Sequence, residues 1–106
     1  MSTIVIGAGP VGTTIALQLA GAGRPVRLLT RSGSGPAHPR IERMRADASD
    51  PAALAEAFAG ATVVFDCMHA SAYRSDVWAA ELPRAERAVL EAAGGVGAVV
   101  VFPESL

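Results

Sequence analysis

The chain has 106 residues, 51% of them hydrophobic, with a formal net charge of -1 and a single cysteine. That length supports one domain with a real core, the near-neutral charge gives no general argument for nucleic acid or a membrane as partner, and a lone thiol excludes an internal disulfide. Every basic side chain is arginine, and with the abundant alanine this is the composition of a GC-rich bacterial genome. No apolar run is long enough for a bilayer span, and the first strand begins close to Met1, which leads to the expectation of a cytoplasmic protein.

Strand and helix periods alternate along the chain. Residues 3–6 predict a first strand, followed by the run Gly7-Ala8-Gly9-Pro10-Val11-Gly12. Residues 11–22 predict a helix with Val11, Ile15, Leu19 and Ala22 at helical spacing, stopped by Gly23. Residues 26–30 predict the second strand, and 31–39, rich in Gly, Ser and Pro, a mobile loop. A short edge-type strand follows over 41–46. Asp50 and Pro51 read as N-cap and first helical residue of a helix over 52–59, ended by Gly60. Residues 62–67 predict an interior strand, apolar on both faces. Ser75 caps a short turn, Pro83 starts a main helix running to about Ala93, and Gly94-Gly95 breaks it. Residues 98–102 predict a last, fully buried strand.

Such alternation predicts an α/β fold: a doubly wound parallel sheet in three αβα layers, with right-handed crossovers. The expected order is 3-2-1-4-5, in one domain over residues 1–106, with a ligand crevice at the carboxyl ends of strands one and four. Strand five then lacks an outer neighbour, and its apolar Val99-Val100-Val101 edge predicts self-association.

The glycine run between a strand and a helix is the Gly-x-Gly-x-x-Gly pattern of dinucleotide sites, and each glycine has its own task. Gly7 allows the tight turn, Gly9 lets backbone approach a pyrophosphate, and Gly12 lets the helix pack closely. Pro10 and Val11 open the helix, whose free N–H groups and partial positive charge face the phosphates. About 20 residues on, NAD sites place an acid that binds the ribose 2′-OH. Here the stretch is Leu28-Leu29-Thr30-Arg31-Ser32, without an acid. Arg31 is placed to pair with a 2′-phosphate and Ser32 to add a hydroxyl donor, which points to NADP over NAD. No Asp or Glu precedes Glu42, whereas Arg24, Arg27, Arg31 and Arg40 do, a bias that suits a polyanion. Arg40 is a second candidate for the phosphate. FAD is the competing cofactor, because Gly-Ala-Gly-Pro-Val-Gly also opens flavin domains; the arginine after strand two argues against it.

The glycine run, the stretch Asp47-x-x-Asp50-Pro51-x-x-Leu54 and the strand Val63-Val64-Phe65 together resemble extended and atypical short-chain dehydrogenases/reductases of the NAD-dependent epimerase/dehydratase-like type. The resemblance corresponds to the amino-terminal, Rossmann-like half of those proteins. It implies that Asp47 approaches the adenine amino group with Ala48 beside the ring, and that Cys67 and Met68 run along the cofactor ribose. On the residues alone, Asp47 equally reads as a strand-end cap, and Cys67 and Met68 as core. The resemblance also implies hydride transfer with a carbonyl or carbinol substrate, a small molecule, in the complete protein.

The catalytic Tyr-x-x-x-Lys pair of short-chain reductases is missing. Tyr73 is the only tyrosine, Val77 stands four residues on, and there is no lysine. Ser105 falls near that family's Ser/Thr position, and His69 is an acid/base candidate by its ordinary pKa, yet a ragged terminus and a solvated loop explain them better. No metal-ligand cluster or nucleophile elbow is present. A non-catalytic NAD(P)-sensing module is therefore the alternative to an oxidoreductase or epimerase.

Overall fold

A computed structural model describes residues 2–7, 9–68 and 75–103, with 75–83 described by backbone alone. Branched side chains fill the first strand, β1 (Ser2–Ile6), and suit a pleated backbone packed on both faces. Four more strands follow: β2 (Val26–Thr30), β3 (Ile41–Arg45), β4 (Ala61–Asp66) and β5 (Val99–Val101). All pair in parallel, in the order β3-β2-β1-β4-β5. The register sets Ile6 beside Leu29 on one side and Asp66 on the other, and Thr30 beside Arg45.

Among the described residues, three helices cover the sheet: α1 (Pro10–Gly21), α2 (Pro51–Ala57) and α3 (Ser75–Val96). Alternation along the strands divides the core in two. Val5, Val26, Leu28, Ile41 and Cys67 pack with Ala16 and Ala20 of α1. Ile4, Ile6, Leu29 and Val64 face Leu54, Ala57 and Phe58 on one side of the opposite layer, and Ala88, Val89 and Ala93 of α3 on the other. This is the expected doubly wound αβα sandwich, with helices on both faces of a buried parallel sheet.

Helix ends follow local chemistry. The Asp50 carboxylate accepts from the Ala52 and Ala53 N–H groups at 3.1 and 3.5 Å, with Pro51 at the first position of α2. Gly23, at φ 85°, closes α1: its N–H donates to the Ala20 carbonyl while that of Arg24 donates to Leu19. The carboxyl end of α2 is met by Arg27, which donates to the Ala57 and Ala59 carbonyls, both at 2.7 Å. A cation there also complements the helix dipole. Replacing Arg27 with alanine should lower unfolding free energy by about 1–2 kcal/mol, the range for lost charge-assisted hydrogen bonds. Urea titration of the two chains measures it.

Several expectations need correction. The third helix is continuous from Ser75 to Val96 and includes Pro83 and Gly94-Gly95, rather than starting at the one and breaking at the other. An interior proline costs about 3 kcal/mol and a glycine about 1 kcal/mol; the buried Ala85, Ala88, Val89 and Ala93 stripe lies between these residues and anchors the middle of the helix on the sheet. The true stop is Gly97 at φ 73°, where the Ala98 N–H reaches back to the Ala93 carbonyl at 2.9 Å. The strand expected over 98–102 is shorter and only partly covered, because it pairs with β4 alone among the described residues: Val99 is 63% exposed. The segment after β2 is an ordered turn at its start. Gly33 N–H donates to the Thr30 carbonyl at 3.4 Å, Thr30 Oγ1 to the Ser34 carbonyl at 3.1 Å, and the Ser32 and Ser34 hydroxyls lie 2.8 Å apart.

Candidate functional site

The β1–α1 turn sits between the carboxyl ends of two strands. The Gly7 N–H donates to the Leu29 carbonyl of β2 at 2.8 Å, and the Cys67 N–H to the Ile6 carbonyl at 3.0 Å. Gly7 has φ 98°, and a Cβ there would meet the Cys67 carbonyl oxygen at 3.2 Å. Only glycine meets both conditions without strain. Gly12, buried in the first turn of α1, lies against the Gly7 carbonyl so closely that a Cβ would overlap it. Its task is thus narrower than helix-on-strand packing, since it lets α1 start directly against the turn.

Gly9 differs from both. It is the N-cap of α1 with φ -69° and ψ -173°, a conformation open to any residue, and a Cβ there would meet nothing within 4 Å among the described residues. Glycine is required there neither by backbone strain nor by packing. What its missing side chain leaves is open space directly before the helix. No side chain caps α1, Pro10 has no N–H, and the first helical bond of the turn runs from Thr13 N–H to the Gly9 carbonyl at 2.9 Å. The N–H groups of Val11 and Gly12 are left pointing out of the helix end, with its partial positive charge. Oxygen anions of a diphosphate suit such a cradle.

The neighbouring strand ends complete the rim. Arg31 and Ser32, directly after β2, are exposed. Asp47, two residues beyond β3, accepts from the Ser49 N–H at 2.9 Å and the Ser49 hydroxyl at 2.7 Å. These bonds, the backbone one foremost, hold its carboxyl below the usual carboxylate range, and the Arg31 charge adds to the effect. Asp47 thus shapes the local turn, as the capping reading expected, and still presents an anionic carboxylate on the rim. Ala48 and Met68 are half-buried and pack against the core on the α2/α3 side. Cys67 is 3% exposed and belongs to the core on the α1 side. Burial first, and the adjacent Asp66 carboxylate second, push its thiol up to about 11, so it is a neutral wall of the turn rather than a nucleophile. Asp66, itself buried, accepts from the Met68 N–H at 3.2 Å and so shapes the start of the loop after β4.

The other arginines of the acid-free stretch do not gather here. Arg27 is committed to the end of α2, and Arg24 precedes β2. Arg40 lines a groove of about 340 Å³ with Ser2, Pro25 and Val26, at the amino end of the sheet. A five-residue strand separates it from the carboxyl end, roughly 16 Å at the usual rise. Arg40 is therefore excluded as a partner of Arg31, because a residue's distance along the sequence does not say which end of the strand it occupies. His69, Tyr73 and Ser105 lie outside the described residues, as does the Trp78 side chain. Among the described residues, no three His, Cys, Asp or Glu side chains are grouped for a metal ion, and no helix is long and apolar enough to cross a membrane.

A glycine cradle at the central crossover of a 3-2-1-4-5 sheet is what a dinucleotide requires. The sequence matches the model of the NAD(P)H-binding family over residues 7–101. The chain belongs to that family. No curated protein matches it. Among solved structures, it is similar to uronate dehydrogenase from Agrobacterium tumefaciens, at 24% identity and a TM-score of 0.77, over 98% of this chain and 40% of that one. A mutant of that enzyme complexed with NAD matches equally well, with the same identity, TM-score and coverage. UDP-glucose 4-epimerase from Thermotoga maritima, solved with UDP-glucose, is 18% identical with a TM-score of 0.78, over 96% of this chain and 37% of that one. The NAD(P)H-binding chain thus spans about 40% of the length of such structures. The resemblance to epimerase- and dehydrogenase-type short-chain proteins is borne out, and the family match favours a nicotinamide cofactor over the flavin reading.

Proposed function

We propose that this chain is the cofactor-binding part of an oxidoreductase or epimerase-like protein that prefers NADP. Gly7, Gly9, Pro10, Val11 and Gly12 would hold the diphosphate, Arg31 and Ser32 the 2′-phosphate, and Asp47 and Ala48 the adenine. When bound, the nicotinamide supplies hydride exchange with a carbonyl or carbinol of a small-molecule substrate. The proton-transfer pair of short-chain reductases is not within these residues, since the chain contains no lysine. The catalytic step is therefore proposed for the complete protein and not assigned to any side chain described above.

One observation carries the NADP preference: Arg31 follows β2 directly, at the place where an NAD site sets a carboxylate. A dianionic phosphate gains from a guanidinium there, whereas a 2′-hydroxyl gains little. A structural relative was solved with NAD, so the preference rests on this chain's residues alone. Fluorescence titration should show NADPH binding more tightly than NADH. Arg31→Ala should weaken NADPH about tenfold or more, as for a lost charge-assisted pair, with NADH little changed. Equal affinities in the unaltered chain would remove the preference.

Self-association through β5 is part of the same proposal. Val99 and Phe102 are 63% and 41% exposed along an edge that, among the described residues, pairs with β4 alone. Two such edges can pair about a two-fold axis. Sedimentation should report a dimer that Val99→Lys disperses; a monomer at every concentration contradicts it.

A further inference from the structure

We infer that Arg45 is the second cation of the 2′-phosphate pocket and a specificity-determining residue for the phosphorylated cofactor, an inference that rests on the NADP reading above.

Arg45 ends β3 and stands beside Thr30, the last residue of β2, in the parallel register. The Ala46 N–H ties the two strand ends together by donating to the Thr30 carbonyl at 3.0 Å. From Thr30 the chain folds straight back over its neighbour. A Cβ on Gly33, which has φ 78°, would lie 3.3 Å from the Arg45 Cβ. The turn that carries Arg31 and the paired Ser32 and Ser34 hydroxyls therefore rests on the stem of Arg45.

Alternation assigns the side. Ile41 is buried in the α1-side core, and Arg43 and Arg45 follow it at two-residue spacing on the same face. Arg43 is already used, since it donates to the Gly35 carbonyl at 3.3 Å and anchors the far side of the turn. Arg45 is exposed, and its guanidinium donates to no described residue. An arginine stem is long enough to carry the guanidinium past the turn to the rim.

Charge balance explains why a second cation is needed. The ionised Asp47 acts on Arg31 from the end of the same strand that carries Arg45. A phosphate approaching Arg31 would also meet that carboxylate, a repulsion that a second cation on the same strand offsets. Arg45 restores a positive balance, while the two serine hydroxyls add donors.

The test titrates the full chain by calorimetry with 2′,5′-ADP and with 5′-AMP, which differ in the 2′-phosphate alone. Arg45→Ala should weaken 2′,5′-ADP about fivefold to tenfold and leave 5′-AMP within about twofold. Arg45→Lys should recover part of the loss, because it restores charge without the planar fork. If Arg31→Ala weakens 2′,5′-ADP and Arg45→Ala does not, the role of Arg45 is overturned while the NADP reading stands. If the unaltered chain binds both probes equally, the NADP reading fails and this inference fails with it. If Arg45→Ala weakens both probes alike, Arg45 supports the turn and does not read the phosphate, which also overturns the inference.

Discussion

Replacing Gly9 with valine should abolish measurable nucleotide binding while leaving the melting temperature within a few degrees. The two halves of that result have separate causes. The backbone at Gly9 is extended, with φ -69°, so valine adopts it without strain. A Cβ there strikes nothing among the described residues, and it carries the added methyls. They would fill the position from which phosphate oxygens reach the α1 N–H groups. Losing even two charge-assisted hydrogen bonds, each worth about 1.5–3 kcal/mol, weakens binding by more than about a hundredfold. Thermal denaturation and NADPH titration of the same sample give both readings. Unchanged NADPH affinity would mean that the open space before α1 is not where the diphosphate lies.

Gly12→Ala is the complementary case and should damage both properties. Its Cβ would overlap the Gly7 carbonyl, a backbone atom held in place by Gly7 N–H bonding to Leu29. Either α1 withdraws from the turn or the Gly7 peptide rotates, and each disrupts the strand-to-helix junction at the centre of the sheet. Overpacking of this kind costs about 1–3 kcal/mol, and a displaced turn no longer aims its N–H groups at a diphosphate. Lower stability with intact NADPH affinity would show that the spacing between turn and helix does not matter for the ligand. The two glycines contrast: one is required by packing, the other by nothing among the described residues.

Much of this was legible in the residues because the signals were local. A β-branched strand, a turn with glycine at three fixed places and an apolar helix need only short-range rules to identify. Asp50 with Pro51 announced α2 in the same way, and Gly23 the end of α1. What was misread depended on tertiary contacts. Pro83 resembles a helix start, yet the helix already runs from Ser75, and the buried Ala85, Ala88, Val89 and Ala93 anchor only its part beyond the proline. The segment after Thr30 has the composition of a loose loop; it is ordered because Gly33 settles on Arg45 and Arg43 reaches Gly35. Arg45 itself drew no notice, since alternating charges on an edge strand read as solvent-facing. The one available signal was its position two residues before Asp47, at the strand end where ligands bind.

The arginine bias of the first forty residues is likewise explained in parts. Arg27 closes a helix, Arg40 faces the opposite end of the sheet, and Arg31 remains at the rim. An excess of one charge in a segment is therefore weak evidence for a ligand until each side chain has been placed.

The central claim concerns backbone amides at the start of α1, and amide-resolved NMR of the chain titrated with NADPH tests it most directly. The Gly9, Val11 and Gly12 N–H signals should shift and saturate with the ligand, in step with that of Arg31. Shifts gathered instead around Pro25, Arg40 and Glu42, with the glycine turn unmoved, would contradict the account.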